Sequence, residues 1–277
     1  MVFKGGNKMT IELFKGNLLD ISKEADLSTA LSAKEILTKR RNDESLDGEN
    51  LRNTWMWTGD FSMYRVENGK VLLYLAPTAQ NLVFQNIEDA YCQFTKNRDY
   101  NPTKEGIAKI MDSAKSGETF VCDLSKLNLK EHNDEWVYFS IDDAKKGKQR
   151  ELRNRVYDDE DVNLLKGKGT KFFVLNPKYV LQNVKDNESA VGRVSFLDGW
   201  LDGCNFVARG RDAGDDGGRL VGVRRSERVA ESDERVFARD NFSEAYKTII
   251  SNPDKVTSEM VSGLSNLIAS YLTRQAK

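Results

Sequence analysis

A single histidine, His132, occurs in 277 residues. That scarcity excludes whole classes of chemistry. HExxH zinc sites, Cys2His2 fingers and two-histidine facial triads all need more imidazole or thiol than this chain holds. A Ser-His-Asp triad would have to recruit His132, which lies in the polar stretch Lys130-Glu131-His132-Asn133-Asp134 and reads as an exposed loop residue. Cysteine is scarce too. Cys92, Cys122 and Cys204 are far apart, odd in number and in no CxxC pair, so they read as free thiols in a reducing compartment. No stretch approaches the roughly 18 apolar residues of a membrane span. The start, MVFKGGNKMTIELFKGN, lacks the apolar core of a signal peptide, so a cytoplasmic location is expected. Neither sign of charge dominates: 42 basic residues face 43 acidic ones. Any electrostatic function must therefore arise from local clustering. GxGxxG and GxxxxGK[ST] are both absent, and Gly167-Lys168-Gly169-Thr170-Lys171 has the residue types of a phosphate loop without its spacing. No cofactor is expected.

What is present argues for a folded α+β chain. Hydrophobic residues make up 39% and aromatics are spread along the length, too many for a disordered polymer. Residues 10–15 alternate as a short strand. Asp26 can cap a helix carrying Leu27, Ala30, Leu31, Ile36 and Leu37 at helical spacing and ending in Lys39-Arg40-Arg41. Residues 42–50 read as a loop. Asn68-Gly69, between two apolar runs covering 61–66 and 70–75, predicts a two-residue β-hairpin turn. Helices are expected over 86–97 and from Asn101-Pro102-Thr103 to Gly117, then strands over 119–122 and 136–141. A charged helix follows over about 143–157. Strands are expected at 171–175, 191–197, 205–209 and 219–224, and two amphipathic helices close the chain, the last opening at Asn252-Pro253. Strands mixed with helices, then a run of strands, then helices do not make a steady βαβ alternation. The expectation is one α+β domain over 1–277, with a mixed or antiparallel sheet, an N-terminal helix and a central helical segment, and with 160–170 as the weakest point for a boundary.

Three constellations carry chemistry. The first is a stretch rich in arginine. From Asp186 to Tyr246 there are nine arginines and no lysine, whereas the residues before it hold 21 lysines and eight arginines. If strands 205–209 and 219–224 pair, Arg209, Arg211, Arg219, Arg224 and Arg225 share one ribbon, which could follow a phosphate backbone. The plainer reading pairs them with Asp212, Asp215, Asp216, Glu227, Glu231, Asp233 and Glu234. The second is the basic helix. Lys145, Lys146, Lys148, Arg150, Arg153 and Arg155 fall within eleven residues, opposed inside the run by Glu151 alone. Solvent, the following Asp158-Asp159-Glu160-Asp161, or a nucleic-acid backbone can neutralise it.

The third constellation is acidic. Asp123 ends one expected strand, and Asp143-Ala144-Lys145 follows the next. Two carboxylates and a lysine at strand ends resemble the PD-(D/E)xK nuclease pattern in that spacing alone, without its proline or its upstream glutamate. Under that reading Asp123, Asp143 and Lys145 are catalytic and Mg²⁺ is the cofactor. DAGDDGG at 212–218 resembles a calcium loop, but Val223 stands where an EF-hand needs glutamate. Trp55-Met56-Trp57 is either a stacking platform for bases or, more simply, aromatics entering the core.

The leading expectation is a binding protein that contacts DNA or RNA through the arginine hairpin and the basic helix. The alternatives are a Mg²⁺-dependent nuclease and a structural or assembly protein, a homo-oligomer whose Arg and Asp residues pair across a subunit interface.

Overall fold

The structure is a computed structural model that describes residues 10–42, 44–46, 49–51, 54–198, 204–209 and 218–225. The two C-terminal helices expected from sequence lie outside those residues, as do Arg211 and the 212–217 loop tip. Through Arg224, the described chain belongs to one compact unit.

β1 (Ile11–Lys15) leads into α1 (Leu18–Glu24), capped by Asn17. β2 (Ala25–Asp26) follows. Asp26 does cap, but what it caps is a single 3-10 turn over Leu27–Thr29. The longer helix, α2 (Ala33–Arg41), begins afterwards with a Ser32–Glu35 capping box. The continuous helix expected from Asp26 to Arg41 is therefore broken, because the sheet uses the backbone between its halves. Leu31 N donates to Val221 O at 2.9 Å and Leu31 O accepts from Gly59 N at 2.7 Å.

The short strands β3 (Ser45–Leu46) and β4 (Glu49–Asn50) form a two-stranded sheet of their own. β5 (Met56–Glu67) and β6 (Lys70–Ala76) then make the expected hairpin. Its turn has φ of 50° at Asn68 and 73° at Gly69, the left-handed pair that a type I′ loop needs. Next come α3 (Leu82–Gln85), α4 (Ile87–Asn97) and α5 (Lys104–Lys115). β7 (Phe120–Asp123), the two-residue β8 (Lys130–Glu131) and β9 (Trp136–Ser140) precede the basic helix α6 (Gly147–Val156). The acidic run, expected only as a tail to that helix, forms a helix of its own, α7 (Asp159–Leu165), capped by Asp158. β10 (Lys171–Leu175), α8 (Pro177–Asn183), β11 (Val191–Leu197), β12 (Phe206–Arg209) and β13 (Arg219–Arg224) complete the described chain.

These elements form an α+β protein with eight described helices around an eleven-stranded mixed sheet. The main path runs β1-β13-β5-β11-β12-β10-β9-β8. β5 is the axis. Along one edge it pairs antiparallel with β11. Along the other it meets β13, parallel, at Trp57↔Leu220, and then β6 from Phe61 onward, with β7 beyond β6. The sheet thus forks between Trp57 and Phe61. A β-carbon on Gly59 would fall 1.9 Å from Thr78 Oγ1, so only glycine fits in the fork. Asp60, buried there, accepts from Ala33 N at 2.6 Å and closes the N-terminus of α2.

One expected pairing is overturned. β12 and β13 do not form a hairpin: β12 lies between β11 and β10, β13 lies between β1 and β5, and two strands separate them. The five-arginine ribbon therefore does not exist as a unit. The physical reason is burial. Leu220 and Val221 of β13 are fully buried, with β1 pairing on one side and β5 on the other.

Candidate nucleic-acid interface

All candidate side chains but those of Arg209 and Arg211 can be placed from their elements. Asp123 ends β7, where it accepts from Ser125 N at 2.9 Å and lies 3.8 Å from Lys70 Nζ. The hydrogen bond from Ser125 holds its carboxyl below the ordinary range. Asp143 is in the turn after β9 and pairs with Lys130 Nζ at 3.3 Å. Five strands of the sheet path lie between β7 and β9, and each acid has its own partner. Lys145 is exposed and adjoins Asp143 through a backbone bond, Lys145 N to Asp143 O at 2.9 Å. Among the described residues, no group of three or more His, Cys, Asp or Glu is placed to hold a metal ion. The buried thiols are held protonated: burial pushes Cys122 and Cys204 each up to about 11.

The arginines are dispersed. Arg224 faces acids of its own chain, Glu12 Oε2 at 2.8 Å and Glu24 Oε2 at 3.0 Å, and lies 5.3 Å from the Phe14 ring centre. The hydrogen bond to Glu12 raises its pKa. Arg219 is half-buried opposite Lys15 in the β1–β13 register. Arg225 is exposed at the end of β13. Arg209 belongs to β12, and its side chain, like all of Arg211, lies outside what the structure describes.

The basic helix divides into two faces. Gln149, Leu152, Arg153 and Val156 are buried, the i, i+3, i+4, i+7 stripe of a packed helix. Arg153 is thereby withdrawn from any ligand and bonds Asn154 Oδ1 at 2.6 Å and Asp159 Oδ1 at 3.0 Å. Burial lowers its pKa. Lys148 pairs with Glu151 at 2.6 Å, and Arg155 lies 5.1 Å from the Phe120 ring centre. Lys145, Lys146 and Arg150 are exposed. α6 also begins without a side-chain cap, so its first amides open beside Lys145, Lys146 and Lys148.

A second basic segment joins the first. β9 and β10 pair from Trp136↔Leu175 to Ser140↔Lys171, and Ile141 N continues the ladder to Thr170 O at 3.2 Å. Gly167 N then donates to Asp142 Oδ2 at 3.1 Å. The turn carrying Lys145 and Lys146 is thus fastened to the turn carrying Lys166 and Lys168, and all four lysines are exposed. None of these four, nor Arg150, has a carboxylate within ion-pair distance among the described residues. Sequence reading found the first segment and set the second aside, because it lacks the spacing of a phosphate loop. Its signal was Lys166-Gly167-Lys168-Gly169, where both glycines take positive φ, 75° and 74°.

The outer face of the β9–β10 ladder was missed entirely. Phe139 and Phe172 stack inside at 5.0 Å, with Phe206 at 4.7 Å from Phe172. The alternate residues Tyr138 and Phe173 point the other way, directly opposite one another, their ring centres 5.5 Å apart. His132 packs 5.3 Å from Phe173 and 6.4 Å from Tyr138. Lys171 Nζ lies 4.6 Å above the Tyr138 ring. His132 is exposed and the other three are half-buried. The signal was the period-two alternation within WVYFS and KFFVL. Trp57 is a core residue, 1% exposed, and Trp55 packs edge-on against it at 5.6 Å.

No protein-family model matches the chain, and no curated protein matches it. Among solved structures, a chain from work on how the C-type lectin fold accommodates massive sequence variation in Nanoarchaeota overlaps 79% of this chain and 99% of its own length, at 14% identity and a TM-score of 0.47. Overlap of that quality decides neither family nor function. No described helix is long and apolar enough to cross a membrane.

Proposed function

We propose that this protein binds nucleic acid, through a lysine-rich ridge where the turns flanking β9 and β10 meet the start of α6. The observation that carries the reading is convergence. Lys145, Lys146 and Arg150 come from one segment and Lys166 and Lys168 from another, tied together by the Gly167–Asp142 hydrogen bond. Like charges carried by two turns fastened together repel unless a counter-charge neutralises them, and a phosphate backbone supplies such charges at regular spacing. The arginines of β13 are not part of this ridge, since Arg224 is occupied by Glu12 and Glu24.

The test is a labelled oligonucleotide titrated across a salt series. Binding should weaken with salt by a slope of about −0.7 to −0.9 in log K per phosphate contacted. Lys145→Ala with Lys146→Ala should flatten the slope by about two contacts and leave the melting temperature nearly unchanged. Arg224→Ala serves as the control. Its ion pairs are exposed and screened by solvent, so it should barely change the melting temperature and leave the slope alone. Wild-type protein that fails to bind at low salt would overturn the proposal.

A further inference from the structure

We infer that the ligand is single-stranded, and that its bases stack on the open aromatic face formed by His132, Tyr138 and Phe173. The inference rests on the nucleic-acid reading above and narrows it. The inner side of this ladder already holds a complete aromatic core in Phe139, Phe172 and Phe206. The outer side carries three more rings: His132 is exposed, and Tyr138 and Phe173 are half-buried, with Phe173 also packing against the core.

Charge complementarity selects the occupant. Lys171 lies on β10 between the ridge and the rings: Lys168 is three residues before it, Phe173 two residues after. Lys130 sits opposite Tyr138 in the β8–β9 register, paired with Asp143 at 3.3 Å, a partner that a phosphate would have to displace. Rings bordered on two sides by lysines match a strand whose bases are turned inward and whose phosphates run along the margin. Lys171 already occupies the Tyr138 ring as a cation, at 4.6 Å. An incoming base takes that place on the ring, and the released ammonium becomes available to the adjoining phosphate. A duplex cannot do this, because its base faces are stacked on one another. It can use only the lysines.

The experiment compares a labelled single-stranded DNA, the RNA of the same sequence and the corresponding DNA duplex, each titrated with the full chain at one fixed salt concentration. At least one single strand should bind more tightly than the duplex, and a preference for either sugar supports the inference. Tyr138→Leu with Phe173→Leu keeps apolar volume but removes the stacking faces. It should weaken single-strand binding by about ten-fold or more and leave duplex binding unchanged. Tyr138→Phe should retain wild-type affinity. Should the double variant fail to fold, Phe173→Trp provides the readout, since its added emission should be quenched by the single strand and not by the duplex. Equal binding of strand and duplex, unaltered single-strand affinity in the leucine variant, or an unquenched Phe173→Trp signal would overturn stacking while the phosphate-binding ridge stands. Failure of the wild type to bind any of the three probes overturns both readings.

Discussion

The Lys130 ammonium lies 3.3 Å from the Asp143 carboxylate, joining β8 to the turn that launches α6. Both groups are more than half exposed, so the pair adds little to stability, but it places one negative charge beside Lys145 and Lys146. Asp143→Asn should therefore tighten nucleic-acid binding several-fold and steepen the salt slope by about one contact, as Lys130 is released. Were Asp143 instead a ligand of a catalytic Mg²⁺, the same substitution would abolish Mg²⁺-dependent cleavage. One variant, assayed for binding and for cleavage, separates the two.

Arg193 is a buried cation held by two carboxylates. It is 1% exposed and holds Asp99 at 2.5 Å and Glu135 at 2.7 Å, with its guanidinium 5.3 Å from the Trp136 ring centre. Tyr179 closes the network by donating to Asp99 Oδ2 at 2.7 Å. Arg193→Met should cost about 3–5 kcal/mol, because it leaves Asp99 charged and buried without its partner. Adding Asp99→Asn should recover part of that loss in denaturant melts.

Asp60 should make stability depend on pH. Burial pushes its carboxyl up to about 6 from 3.8, despite the hydrogen bond from Ala33 N. An acid whose folded value is raised binds its proton more tightly in the folded state. Its contribution to stability is greatest below about 4 and is lost as pH rises through about 6. Urea melts across that window should show wild type losing stability relative to Asp60→Asn as pH rises. A constant difference between the two proteins would show that Asp60 titrates normally.

The β5–β6 turn should resist a branched residue. Gly69 holds φ at 73°, and although nothing lies within 4 Å of its missing β-carbon, the backbone itself disfavours branching there. Gly69→Val should cost about 1–3 kcal/mol, and Gly69→Asn much less. Thermal melts of the two variants check the order.

What could be read from sequence follows the range of each interaction. The Asn68-Gly69 hairpin, α4 and α5 rest on neighbours within a turn or two, and their sequences announce them. The broken helix at 27–33 does not, because the hydrogen bonds that claim Leu31 come from Gly59 and Val221. The same holds for the separation of β12 from β13. A loop between two apolar runs favours a hairpin locally, but the partner of β13 is β1, almost the whole unit away in sequence. At the ridge, the charge of α6 was plain and its orientation was recoverable: Gln149, Leu152, Arg153 and Val156 already mark the inward stripe. The contribution of Lys166 and Lys168 was not, since it depends on one hydrogen bond across 25 residues.

The place of β13 also constrains how the protein is made. It is the last described strand to leave the ribosome, yet it fills the gap between β1, the first, and β5. Until it arrives, β1 and the Trp57 end of β5 both present unpaired backbone. The nascent chain must hold those edges apart from each other and from neighbouring chains throughout translation. Closing the sheet is then a single late event with a large loop-closure cost, so a chain that stalls before residue 219 should be the species most prone to chaperone capture or aggregation.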